Sequence, residues 1–101
     1  MDRLDFDFFF ERLKNHGTQL DETQFYFADD EERQSRWLGF LPQYDKPYWV
    51  GVCDIPDGTE FVTAEELVDA PIFSNQSLRK RWNEVRIISV QGASLDEWSP
   101  I

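Results

Sequence analysis

Phe6, Phe9, Phe10 and Leu13 fall at i, i+3, i+4 and i+7, the spacing that gathers side chains on one face of a helix. Asp2 or Asp5 stands where an N-cap is needed, Arg12 and Lys14 occupy the last turn, and Gly17 is placed for a left-handed position just past the end. Phe6, Phe8 and Phe10 also alternate as in a strand, but the capping residues at both ends decide for a helix. From Gln24 the reading changes. Gln24 to Ala28 forms a short strand segment, bounded by Asp21-Glu22 and by the acidic run Asp29 to Glu32. Trp37 to Leu41 and Tyr48 to Cys53 read as two arms of a hairpin, with Pro42 and Pro47 confining the pairing to residues outside the loop. Gly39 and Gly51 lie inside these arms. Glycine in a strand marks a bulge or a place where a large ring crosses close to the backbone, and Trp37 and Trp49 are the rings nearest in sequence.

Asp54, Pro56, Asp57 and Gly58 make a turn by composition, since proline pre-sets φ and the Asp-Gly pair tolerates positive φ. Thr63 followed three residues later by Glu66 is a capping box, with Val62 and Leu67 placed as a hydrophobic staple. The helix that starts there must stop near Ala70, because Pro71 disfavours helical backbone in the residue before it. A second helix is expected from Ser74 or Ser77, bringing Leu78, Trp82 and Val85 to one face. Arg86 to Val90 then reads as a buried strand ended by Gly92. Consecutive strands joined by short connections imply antiparallel pairing. The expected architecture is α+β: one small domain over residues 1–101, with a mainly antiparallel sheet of about four strands and two to three helices on one face.

Composition sharpens this picture. The chain has 101 residues, 41% of them hydrophobic and 16% aromatic, which is enough to build a core and unlike an acidic disordered segment. One Cys excludes an internal disulfide framework and a multi-thiolate zinc site. No basic flank precedes an apolar run at the start, and no run of 18 apolar residues occurs, so neither secretion by a signal peptide nor a membrane span is expected. With 20 acids against 10 bases the formal net charge is −10, which disfavours nucleic-acid binding because the phosphate backbone would repel it. The charge is blocked rather than spread. Residues 1–32 hold ten acids and three bases, and residues 43–69 hold seven acids and Lys46. The stretch around Arg79, Lys80, Arg81 and Arg86 is basic.

Catalytic chemistry finds little support. His16, the single histidine, sits where a helix dipole favours it, and Cys53 reads as a small buried hydrophobe. The acids around Asp54 and Asp57 do not continue into a calcium-loop pattern, and no phosphate-binding glycine motif occurs. No catalytic residue, metal or cofactor is therefore assigned. What remains is an acidic surface suited to a basic protein partner, whose field would speed encounter. The candidate contact residues are Asp29, Asp30, Glu31, Glu32, Asp54 and Asp57, with Tyr44 and Tyr48 as aromatic anchors on the hairpin loop, since aromatic anchors commonly carry interface energy. An immunity- or inhibitor-type protein of the cytoplasm is the concrete form of this expectation. Its rivals are a small enzyme or ligand-binding domain with an aromatic pocket lined by Trp37, Trp49 or Trp82, and a subunit that self-associates into a homo-oligomer.

Overall fold

The computed structural model describes residues 2–52 and 59–98. Cys53 and the turn expected at Asp54, Pro56, Asp57 and Gly58 lie outside the described residues. Helix α1 spans Phe6–Asn15, and the Asp5 carboxylate accepts the backbone N–H of Phe8 at 3.3 Å, closing the N-terminus as the capping pattern requires. Phe9 and Leu13 are fully buried, while Phe6 and Phe10 pack on the same core from its margin. The helix does not end on a left-handed glycine. His16 is the C-cap, and Gly17 instead opens a 3-10 turn, Gly17–Leu20. Glycine is needed there for space, since a Cβ would stand 2.6 Å from Cγ of Phe40.

Strands β1 (Thr23–Phe27), β2 (Arg36–Phe40), β3 (Tyr48–Val52), β4 (Thr59–Phe61) and β5 (Val85–Val90) form one sheet in the order β4-β3-β2-β1-β5. Every neighbouring pair is antiparallel. The count is thus five strands rather than about four. The additional one, β4, has three residues, too few for a period of two to show in the sequence. The hairpin runs from Arg36↔Val52 to Phe40↔Tyr48, and Leu41 N–H continues the ladder to Pro47 O at 2.8 Å. Between β1 and β5 the register shifts after Gln24, so that Gln24 faces Ser89 while Phe25 faces Ile87. Ile88 is the extra residue of this bulge and is 41% exposed.

Alternation along these strands sends one set of side chains inward. Thr23, Phe25, Phe27, Leu38, Tyr48, Val50, Val85, Ile87 and Val90 are buried on one face, where they meet Phe9 and Leu13 of α1 and Leu67 and Val68 of helix α2 (Ala64–Asp69). Both α-helices therefore cover the same face. The capping box of α2 is formed in both directions, with Glu66 N–H on Thr63 Oγ1 and Thr63 N–H on Glu66 Oε1, each at 3.1 Å. The expected staple partner Val62 stays 55% exposed while Leu67 goes to the core. Ala70 adopts an extended backbone before Pro71, ending the helix where proline demands.

The second helix expected from Ser74 or Ser77 is not an α-helix. Ser74 and Asn75 have φ of 54° and 66°, which turns the chain, and Arg79 N–H bonds to Val68 O rather than to its own segment. Only a 3-10 turn, Trp82–Glu84, follows. Leu78, Trp82 and Val85 still reach the core together, because tight turns of i to i+3 type satisfy the same spacing. Trp82 packs on Phe9 with ring centroids 4.4 Å apart and donates its indole N–H to Leu4 O at 2.8 Å.

The ring-over-glycine expectation holds at Gly39. This residue pairs with Trp49 across the hairpin, and a Cβ on it would meet the Asp21 carboxylate and come within 2.6 Å of Trp49 Cε2. The same Asp21 Oδ1 accepts the Trp49 indole N–H at 3.2 Å and Phe40 N–H at 3.0 Å, locking the indole flat on β2. Gly39→Ala is expected to destabilise the protein by about 1–3 kcal/mol, because the added methyl overpacks a site with no room. A urea midpoint lowered at unchanged m-value checks this, and an unchanged midpoint would show that the indole is not held there.

Candidate functional site

At the end of the sheet where β1 finishes and β2 begins, a polar cavity of about 300 Å³ is lined by Phe27, Asp29, Asp30, Gln34, Arg36, Ser74 and Arg81. Two guanidinium groups converge on one ring. The Arg81 Cζ lies 3.8 Å, and the Arg36 Cζ 4.8 Å, from the centroid of Phe27. Arg36 is only 6% exposed, although it is charged. Alternation explains this position. Arg36 faces Phe25 across β2 and β1, so its side chain belongs to the core face, and it survives there by stacking on Phe27 and Phe73 and by facing carboxylates.

The carboxylates are engaged in turn. Asp29 Oδ1 accepts from Arg81 Nη2 at 2.6 Å. Asp30 accepts the backbone N–H groups of Gln34 at 3.0 Å and Glu32 at 3.1 Å, and its Oδ2 lies 4.0 Å from Arg36 Nη1. The Gln34 and Glu32 amides, with help from Arg36 and Arg81, hold the Asp30 carboxyl below the usual carboxylate range. Such a carboxylate remains ionised near neutral pH. The cavity thus brings cations and anions together in balance, an arrangement suited to organising a loop around a charged end of the core.

Of the expected contact residues, Asp29 and Asp30 are thus tied to the protein's own cations and amides, while Glu31 and Glu32 stand exposed beside them. Tyr44 is 56% exposed on the hairpin loop. Tyr48 requires correction as a loop anchor. It begins β3, is 8% exposed, and donates its hydroxyl to Leu13 O across the core at 3.4 Å. Burial, with the Glu65 carboxylate nearby, pushes its phenol above the ordinary value. Tyr44 and the Asp29–Glu32 turn lie at opposite ends of β2, roughly 17 Å apart along a five-residue strand, so the structure does not join them into one patch. Asp54 and Asp57 lie outside the described residues.

The opposite face of the sheet carries Trp37 and Trp49, two of the expected pocket residues. Paired positions place Gln24 with Trp37, Trp37 with Gly51, Trp49 with Gly39 and Glu60, and Tyr26 with Arg86, all pointing away from the core. Trp37 is 38% exposed there. Trp82 belongs to the core face, so the three tryptophans do not share one cavity. The narrow interstice among Phe9, Leu38, Leu78 and Trp82 is too small to admit a water molecule. The signal for the outer face was present in the alternation of the hairpin arms, where the two glycines and two tryptophans share one parity.

Among the described residues, no group of three or more His, Cys, Asp or Glu side chains is placed to hold a metal ion, and no helix is long and apolar enough to cross a membrane. The chain matches no protein-family model, no curated protein and no solved structure.

The Asp30 geometry carries a pH signature. A carboxyl whose folded pKa lies below its unfolded one contributes stability that is fully present above the unfolded pKa and is lost as pH falls through the folded pKa. Asp30→Asn is therefore expected to lower stability at neutral pH and to lose less on acidification than the parent protein. Urea midpoints of both proteins, followed from neutral pH to below the ordinary carboxylate range, check this; parallel curves would count against it.

Proposed function

We propose that this chain is a non-enzymatic, acidic binding domain that docks a basic protein partner. An immunity- or inhibitor-type protein that neutralises a basic toxin or nuclease in the cytoplasm is its most concrete form. The observation that carries the reading is where the protein spends its own cations. Lys14 pairs with Glu65 at 3.0 Å, Arg79 with Asp69 at 2.7 Å and Arg81 with Asp29 at 2.6 Å, while Arg36 is buried beside Asp30. Arg79 and Arg81 of the basic stretch are thus each held by a carboxylate of a different acidic block, and such pairs leave the chain's excess of ten acids over bases in place. Individual surface pairs of this kind contribute little to stability. Their consequence here is electrostatic, because a field of one sign steers an oppositely charged partner and accelerates encounter.

Several features support this reading over catalysis. Asp30 is held ionised by backbone amides, Asp29 is held by Arg81, and the polar cavity is internally charge-balanced. Glu31, Glu32 and Tyr44 remain exposed and available for contact.

Affinity capture from the native host lysate at low salt, followed by a salt gradient, tests the proposal. A discrete basic protein is expected to elute as ionic strength rises and the Debye length contracts from about 10 Å towards 3 Å. Capture that ignores salt, or an eluate of acidic proteins alone, would overturn it.

A further inference from the structure

We infer that the open face of the sheet, centred on Trp37 and Trp49 with Glu60 at its border, is where a lysine- or arginine-bearing segment of a basic protein docks. This deepens the binding-domain reading above and rests on it. An antiparallel sheet that covers one face ordinarily displays polar side chains on the other. Here both α-helices lie on the inner face, and the outer face presents indoles. Trp37 is exposed at the centre of the sheet, and its cross-strand partner on β3 is Gly51, which has no side chain to cover it.

The neighbouring Trp49 is already immobilised. Its indole lies against Gly39 and its N–H is held by Asp21. An aromatic surface fixed in this way orders few further rotamers when a partner arrives, which removes part of the usual cost of binding.

Charge selects the occupant. Across the face from β4 to β5 the outward residues run Glu60, Trp49, Trp37, Tyr26 and Arg86. The β5 side already has its cations, with Arg33 stacked over Tyr26 at 5.6 Å and Arg86 beside it. The β4 side has indoles bordered by Glu60 and by the Asp21 carboxylate, and this half is complementary to an incoming ammonium or guanidinium group. Arg33 on Tyr26 is this protein's own example of the contact. A second copy of the chain is a poorer occupant, since it would bring another net charge of −10 towards the same surface.

The four tryptophans supply four indole N–H signals for a direct test on the full chain. Titration with an oligolysine peptide at low salt is expected to move the Trp37 and Trp49 signals saturably and to leave that of core Trp82 in place. Trp37→Ala is expected to weaken peptide binding about tenfold, and Trp37→Phe, which keeps an aromatic face, to restore most of it. Glu60→Gln is expected to weaken it about two- to threefold, in a salt-dependent way. Thermal midpoints of the variants, measured alongside, separate a lost contact from a lost fold, while the parent protein's indole shifts stand independently of any variant. Saturable binding that moves residues 29–32 and leaves Trp37 and Trp49 unmoved would overturn this surface while sparing the acidic binding domain. Concentration-dependent Trp37 shifts without peptide would assign the face to a second copy instead. Absence of any salt-sensitive binding to the peptide would overturn the inferred occupant; the lysate capture described above then decides separately whether the broader reading stands.

Discussion

The side-chain period of two in a β-strand is the constraint from which the rest of this molecule follows. Each strand that sends Phe25, Leu38 or Val50 inward must send its alternate residues outward, and the two α-helices are enough to cover one side only. Phe9 and Leu13 of α1, with Leu67 and Val68 of α2, close that side into a core. The core brings its own obligations. Tyr48 must find Leu13 O for its hydroxyl, Trp82 must find Leu4 O for its indole, and Thr23 places its hydroxyl on Leu20 O at 2.6 Å. These bonds join the N-terminal segment and the turns to the sheet, so burial and hydrogen bonding fix the same arrangement.

The same parity decides the fate of Arg36. One residue before Trp37, it is committed to the inner face at the point where the core reaches its end. A charge there needs partners of low mobility, and it has the rings of Phe27 and Phe73 and the Asp30 carboxylate. Arg81 joins it on Phe27 and is held by Asp29. The acidic turn after β1 is in this sense the counterpart of a buried arginine. That leaves Glu31 and Glu32 as the exposed members of the run whose carboxylates do not serve this arginine cluster, while Asp29 is exposed but pairs with Arg81.

The outer face shows how composition and position interact. Trp37 and Trp49 would be ordinary core residues on strands of the other parity, yet here they stand on the side that neither α-helix covers. Gly39 is the necessary companion of Trp49, because an indole lying flat across a strand needs a neighbour without a Cβ, whereas a Cβ at Gly51 would only touch the Trp49 ring at 3.4 Å. A protein that turns Lys14, Arg79 and Arg81 to its own carboxylates presents aromatic rings bordered by Glu60 and Asp21, which is a surface with a definite chemical preference.

Local patterning alone determined α1 with its Asp5 cap, the capping box at Thr63, the stop before Pro71, the hairpin arms, the strand up to Val90 and the α+β class. Each of these depends on residues within a few positions of one another, where steric and hydrogen-bonding rules act directly. The tertiary structure decided the rest. It placed β5 beside β1, added the three-residue β4, replaced the expected second helix by turns at Ser74 and Asn75, and moved Tyr48 from loop to core. It also chose which carboxylates are matched by cations: Asp29 meets Arg81 across 52 positions of chain, a pairing no local pattern encodes. Charge blocks are visible in a sequence because charge is additive. Which charges face water is not, because that depends on how distant segments fold against one another.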